Sequence, residues 1–173
     1  MIEKELFFQY NINYLHLFDI TVNNNSDIIN IINDLIEYKQ GNWKNNKRKD
    51  FIKFIFNDIP SNFIDLFNIF IRDNIIPLKL KIKIIDNNSN FIKLQIKANL
   101  LNIIQNIISK IINIKIICTI SNINNISSIV SIKYIIKSFL PTNFISPINN
   151  YIENKINNNY IFKFDNFLKN YSH

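Results

Sequence analysis

Glycine is almost missing from this 173-residue chain, which carries it only as Gly41. A lone glycine cannot build a glycine-rich phosphate loop, so nucleotide-binding motifs of that kind are excluded. Cysteine also occurs once, as Cys118 inside an apolar run. That excludes a disulfide framework and a multi-cysteine zinc site, and Cys118 reads as a small buried hydrophobe. The two histidines are His16, among aromatics, and His173 at the end of the sequence. Neither pairs with Cys118 in a nucleophilic arrangement. Arginine is restricted to Arg48 and Arg72, and Ala98 represents alanine. The scarce residues need G and C in their codons, whereas Ile, Asn, Lys, Phe and Tyr need little. The bias points to a very AT-rich gene, as in an organelle, and a position that elsewhere holds Gly, Arg or His can hold Asn or Lys here.

What is present is apolar, aromatic and cationic. With 47% hydrophobic and 13% aromatic residues, the chain can bury a real core, so wholesale disorder is excluded despite the Asn runs. The net charge of +7 favours a polyanionic partner. Because all but two of the 20 basic residues are Lys, the surface suits phosphate contacts better than the forked base recognition of Arg. The carboxylates Asp19, Asp34, Glu37, Asp58, Asp65 and Asp73 fall at expected helix faces and ends, where capping explains them. No metal-ligand spacing appears. No catalytic residue, metal, cofactor or small-molecule substrate is expected, and the chain reads as a non-enzyme. Leu100 to Cys118 is greasy but interrupted by Lys110 and Lys115. Each central Lys costs about 2.5–3.5 kcal/mol on insertion scales, so an integral membrane protein is not expected. Glu3, Lys4 and Glu5 interrupt any apolar start.

Periodicity gives the elements. Aromatics from Glu5 to Val22 suggest one or two strands, and Ile28, Ile29, Ile31, Ile32, Leu35 and Ile36 make a helical stripe after Asp27. Gly41 to Asp50 reads as a basic break, and Phe63 to Phe70 as a greasy helix. Past Pro77, Leu78, Leu80, Ile82 and Ile84 alternate with Lys79, Lys81 and Lys83; Ile92, Leu94 and Ile96 then alternate with Lys93, Gln95 and Lys97. Period two with a turn at Asp86 to Asn90 predicts a hairpin bearing a lysine stripe. Leu100 to Ile112 predicts an amphipathic helix, Ile114 to Ile120 an interior strand, and Ser121 to Ser131 a long connection. A strand at Ile132 to Lys137, a turn at Pro141 to Pro147, a helix at Ile148 to Ile156 and a strand at Tyr160 to Phe164 complete the order.

That order predicts an α+β fold: a ferredoxin-like strand-helix-strand-strand-helix-strand domain over residues 77–173, with a long loop at 121–131, behind an N-terminal α/β extension over 1–76. Within it, Ile96, Lys97 and Ala98 end a first strand, Leu100 to Ile112 form the helix, Tyr134 to Ser138 form the third strand with Pro141 beyond its turn, and Tyr151 and Glu153 sit on the second helix. In these features the chain resembles the ribosomal protein S ten family of the small subunit. The resemblance implies a structural role in the mitochondrial small ribosomal subunit, in the matrix, with ribosomal RNA and neighbouring small-subunit proteins as partners. It makes Asn122, Asn124, Asn125, Ser127 and Ser128 part of an RNA-reaching arm. Lys79, Lys81, Lys83, Lys93, Lys97, Lys133, Lys137 and Lys155 complete the expected RNA-binding set. The other expectation is an organelle-encoded accessory subunit of a respiratory membrane complex, suggested by Phe63 to Phe70 and the apolar run near Ile104.

Overall fold

The alternation past Pro77 becomes a hairpin, and the hairpin lies inside a larger sheet. The computed structural model describes residues 1–23, 32, 34–55, 75–100, 112–138, 146, 149–151 and 153–171. Its strands are β1 (Ile2–Tyr10), β2 (Leu35–Lys39), β3 (Lys47–Ile55), β4 (Ile75–Asn87), β5 (Phe91–Leu100), β6 (Ile112–Asn124) and β7 (Ser127–Ser138). They form one seven-stranded sheet in the order β1-β7-β6-β5-β4-β3-β2, every neighbouring pair antiparallel. Between β1 and β2, which form opposite edges, the chain makes a short helix α1 (Tyr14–Phe18) and a π-helical turn at Asp19–Asn23. After β7 it ends in a π-helical turn at Lys155–Ile161 and a helix α2 (Phe162–Tyr171).

This corrects the ferredoxin-like expectation. An expected helix separates its first two strands, yet β5 runs through Leu100 and β6 begins at Ile112; residues 101–111, the body of that helix, lie outside the described residues. The expected loop at 121–131 is the tip of the β6–β7 hairpin. Asn124 Oδ1 accepts from Ile126 N at 3.0 Å and from Ser127 Oγ at 2.7 Å, so a polar side chain builds the turn and the backbone ladder runs close up to it. The expected last strand at Tyr160 to Phe164 is helical. The end of the stripe starting at Ile28 is strand β2 and Ile32 is in neither helix nor strand, while Ile28, Ile29, Ile31 and the greasy helix at 63–70 fall outside the described residues.

Asparagine does the work of glycine at the β2–β3 tip. Lys44 and Lys47 exchange backbone hydrogen bonds of 2.8 and 3.0 Å around Asn45 and Asn46, whose φ of 50° and 58° are left-handed. That two-residue turn favours Asn or Gly. Gly41 itself could not be replaced in this way, because a Cβ there would lie 2.1 Å from the Lys49 carbonyl oxygen.

Registers sort the side chains. Partner numbers such as Phe8 and Val130, Ile120 and Val130, Ile92 and Ile120, or Ile82 and Ile96 place even-numbered residues on one face, except past the register shifts at Leu35/Glu37, Ile84/Asp86 and Asn122/Asn124. The core lies on this inner face: Ile82, Ile92, Leu94, Ile120 and Val130 pack with Leu17 and Ile20 of the crossing and Leu168 of α2. A second cluster joins Tyr134 and Ile136 to Ile2, Leu6, Ile114 and Ile116. Asn13 caps α1 by accepting from Leu15 N at 2.9 Å, and the Tyr14 hydroxyl donates to Ser89 O at 3.0 Å, tying α1 to the β4–β5 tip.

Candidate functional site

Two places could do chemistry or recognition: an open hollow between the end of β1 and α2, and the cationic outer face. Tyr10 ends β1 facing inward, and its ring meets Phe164 of α2 edge to face, with centroids 5.4 Å apart and planes at 82°. Phe164 stacks with Phe167, 6.4 Å away, one turn on. Beside this contact lies a hollow of about 300 Å³ lined by Gln9, Tyr10, Asn11, Ile12, Asp165, Leu168 and Lys169. Asp165 shares this lining with Tyr10; burial above all, then the Asp165 charge and its pull as an acceptor, push the Tyr10 pKa above the ordinary tyrosine range. The phenol therefore stays protonated at neutral pH.

Tyr10, Ser128 and Asn122 stand side by side across β1, β7 and β6. Ser128 Oγ and Asn122 Oδ1 are buried without a hydrogen-bond partner among the described residues. Leaving such groups unmade costs about 1–3 kcal/mol each, which marks this end of the inner face as polar against the stability interest of the fold. Farther along, the Tyr134 hydroxyl stands 3.1 Å from Asn149 Oδ1 and 3.2 Å from Glu153 Oε1, and Lys4 pairs with Glu153. Among the described residues no group of three or more His, Cys, Asp or Glu side chains could hold a metal ion. No helix of the described residues is long and apolar enough to cross a membrane.

The inner face holds protonated groups rather than activated ones. Burial pushes the Cys118 thiol up to about 12. Burial, followed by the charge of Glu153, takes Tyr134 to about 12; burial, followed by the charge of Asp34, takes Tyr160 to about 12. Such groups bind protons more tightly folded than unfolded, so their contribution is complete below the unfolded values near 9 and 10 and is lost as pH rises towards 12. Urea unfolding measured from pH 8 to 12 should show stability falling steadily above about pH 9, and Cys118→Ala should flatten the first part of that fall.

The outer face carries most of the residues expected to meet RNA. Lys79, Lys81 and Lys83 of β4, Lys93 and Lys97 of β5, and Lys133 and Lys137 of β7 all have odd numbers and share this face. Lys133 pairs with Glu3 at 2.5 Å. The others scatter. Asn122 and Ser128 face inward, while Asn124, Asn125 and Ser127 belong to the β6–β7 tip. Lys155 pairs with Asp34 at 3.0 Å and lies over the Tyr151 ring. Sequence reasoning missed Tyr10 and Asp165 as a pair, since 155 positions separate them (165 minus 10). The available signal was the spacing of Tyr160, Phe164, Phe167 and Leu168, which is helical and would have brought Asp165 onto a packed helix.

This architecture, an antiparallel sheet gripping a C-terminal helix with α1 closing the crossing, is the helix-grip fold. No protein-family model matches the sequence, and no curated protein does. Among solved structures, Ara h 8.0201 is similar over 97% of this chain and 98% of its own, with a TM-score of 0.60 at 10% identity. TTHA0849 from Thermus thermophilus is similar over 99% and 100%, with a TM-score of 0.57 at 5% identity. The Zhui aromatase/cyclase from a Streptomyces strain, R1128, is similar over 83% and 72%, with a TM-score of 0.52 at 4% identity. At these identities the likeness is one of fold, and it includes a fold member that is an enzyme.

Proposed function

We propose that this chain holds a small, largely apolar molecule bearing one polar group in the hollow between the end of β1 and α2. The observation that carries the reading is the hollow itself: Ile12 and Leu168 give it an apolar patch among Gln9, Asn11 and Lys169, and Tyr10 and Asp165 supply a donor and an acceptor in the same lining. Ligand sites combine largely apolar walls with a few placed polar groups and start at about this volume. One structure of the same fold is named an aromatase/cyclase; here Tyr10, the raised group of this lining, is a protonated donor at neutral pH, suited to hold a polar group of the ligand. A place in a small ribosomal subunit has lost the support of its ferredoxin-like element order.

The test is titration with the neutral fluorophore N-phenyl-1-naphthylamine. Saturable binding of one probe per chain is expected, and Ile12→Trp, which fills the mouth from a half-buried position, should weaken it about tenfold, or 1.4 kcal/mol, while leaving the circular dichroism spectrum intact. Absence of saturable binding, or equal binding by the folded variant, overturns the reading.

A further inference from the structure

The outer face of the sheet carries a row of lysines that no feature of the fold requires. Lys49 of β3 stands opposite Lys81 of β4, Lys81 opposite Lys97 of β5, and Lys97 opposite Lys115 of β6. Four ammonium groups thus cross four adjacent strands in direct register. Lys47 and Lys83 form the next opposed pair, and Lys79 faces Phe51 on the other side of the row. Like charges placed directly opposite destabilise a sheet. Neighbouring outward positions show the alternative, for Gln95 and Thr119 stand there without charge.

Codon bias explains many lysines but not where the acids went. On this face Glu3 and Glu5 lie on edge strand β1, where Glu3 holds Lys133 and Glu5 accepts from Ser131. Glu37 lies on the opposite edge strand β2 and holds Lys39 and Lys53. None of the lysines in the row, nor Lys47, Lys79 or Lys83, has a carboxylate partner among the described residues. Past the β4 bulge Asp86 stands opposite Lys93 at the β4–β5 tip, so the uncompensated cationic band consists of the row with Lys47, Lys79 and Lys83, between edges that carry their own carboxylates.

We propose that this band is a docking surface for a single-stranded polynucleotide, with RNA as the natural case. Alternate residues along a strand lie about 6.6–6.8 Å apart and neighbouring strands about 4.8 Å apart, so the ammonium groups form a grid on which a flexible strand can seat successive phosphates. Phe51 lies inside the band, half-buried, with Lys53 Nζ 5.6 Å from its ring centre, and offers a base a stacking surface. An anionic membrane would ask for exposed apolar groups among the cations. The most exposed outward aromatic, Phe7 at 65%, stands instead on β1 beside Glu5. The band is on the opposite side of the sheet from the hollow, so it does not depend on the proposed ligand.

Fluorescence anisotropy with a labelled mixed-sequence 20-nucleotide RNA tests this. If all seven free lysines engage, the slope of log K against log salt should be near −5, each lysine removed reducing it by about 0.7. Replacing Lys49, Lys81, Lys97 and Lys115 together by Gln should bring the slope to about −2 and weaken binding on the order of 100-fold at 0.1 M salt, while thermal stability rises. Lys163→Gln, on α2, should change neither. Phe51→Ala should weaken binding at unchanged salt slope. A quadruple variant that gains stability but binds RNA like the parent overturns the proposal and leaves the band a solvated surface. So does tighter, band-dependent binding to phosphatidylserine vesicles than to RNA.

Discussion

Asp50→Ala is expected to lower the free energy of unfolding by about 3–5 kcal/mol, the range for breaking a buried ion pair from one side. Arg48 and Asp50 are each 2% exposed and share the inner face of β3. Arg48 Nε and Nη2 donate to Asp50 Oδ2 at 3.1 and 2.8 Å, Nη1 donates to Val22 O, and the guanidinium lies 5.0 Å from the centre of the Trp43 ring. Asp50 accepts further from the Tyr38 hydroxyl at 2.9 Å and from Gly41 N at 3.0 Å. The substitution would strand a buried cation and two donors at once. Because the chain after α1 is held by Arg48 through Val22 and by Trp43 through Asn23 Oδ1 at 3.0 Å, the crossing from β1 towards β2 should loosen as well. Urea unfolding measures the loss, and Arg48→Met combined with Asp50→Leu should recover much of it, since a packed apolar pair replaces a buried ionic one with little loss.

Leu94→Ala should lower stability by about 2–5 kcal/mol, through lost transfer energy and an unfilled void. Leu94 is 1% exposed at the middle of the sheet, directly opposite Cys118 and packed with the cluster that α1 and α2 cover. Its removal also thins the wall around a thiol that burial keeps protonated. Labelling with a thiol reagent at pH 8 should therefore be slow in the parent and faster in the variant by the factor that the urea measurement gives for opening. A stability change below about 1 kcal/mol, well under the range for such a truncation, would mean that the sheet and its two helices do not share one core.

Alternation made the sheet's central hairpin legible, because lysine at every second position admits only an extended chain with one wet face. The hairpin of β6 and β7 was hidden for the converse reason. Asn122 and Ser128 are small and polar and read as loop, yet they stand in ladder positions facing inward, and Asn124 makes the turn with its side chain. The final helix was hidden by its brevity, with too few turns beyond Tyr160 for its stripe to outweigh aromatic residues that favour strands. The buried ion pair was the most readable of the missed features. Gly41, Trp43 and Arg48 are among the rarest residues in the chain, and they fall within eight positions. In a composition that drifts away from all three, their persistence together marks a place where lysine, asparagine and phenylalanine cannot serve. At the hollow, by contrast, nothing in the sequence joins Tyr10 to Asp165, since only the wrap of the last helix over the first strand does so.

The numbering of the strands carries a genetic consequence. Outside the register shifts at Leu35/Glu37, Ile84/Asp86 and Asn122/Asn124 the ladders join partners of equal parity, as Lys49 with Lys81 or Ile114 with Ile136, so losing a single codon within a regular stretch would turn the residues beyond it to the other face. Ammonium groups would then be driven into the greasy interior and isoleucines out into water. Gains and losses of length are absorbed at the asparagine-rich bends, around 45–46, 87–90 and 124–126, and at bulges such as the one between Ile84 and Asp86.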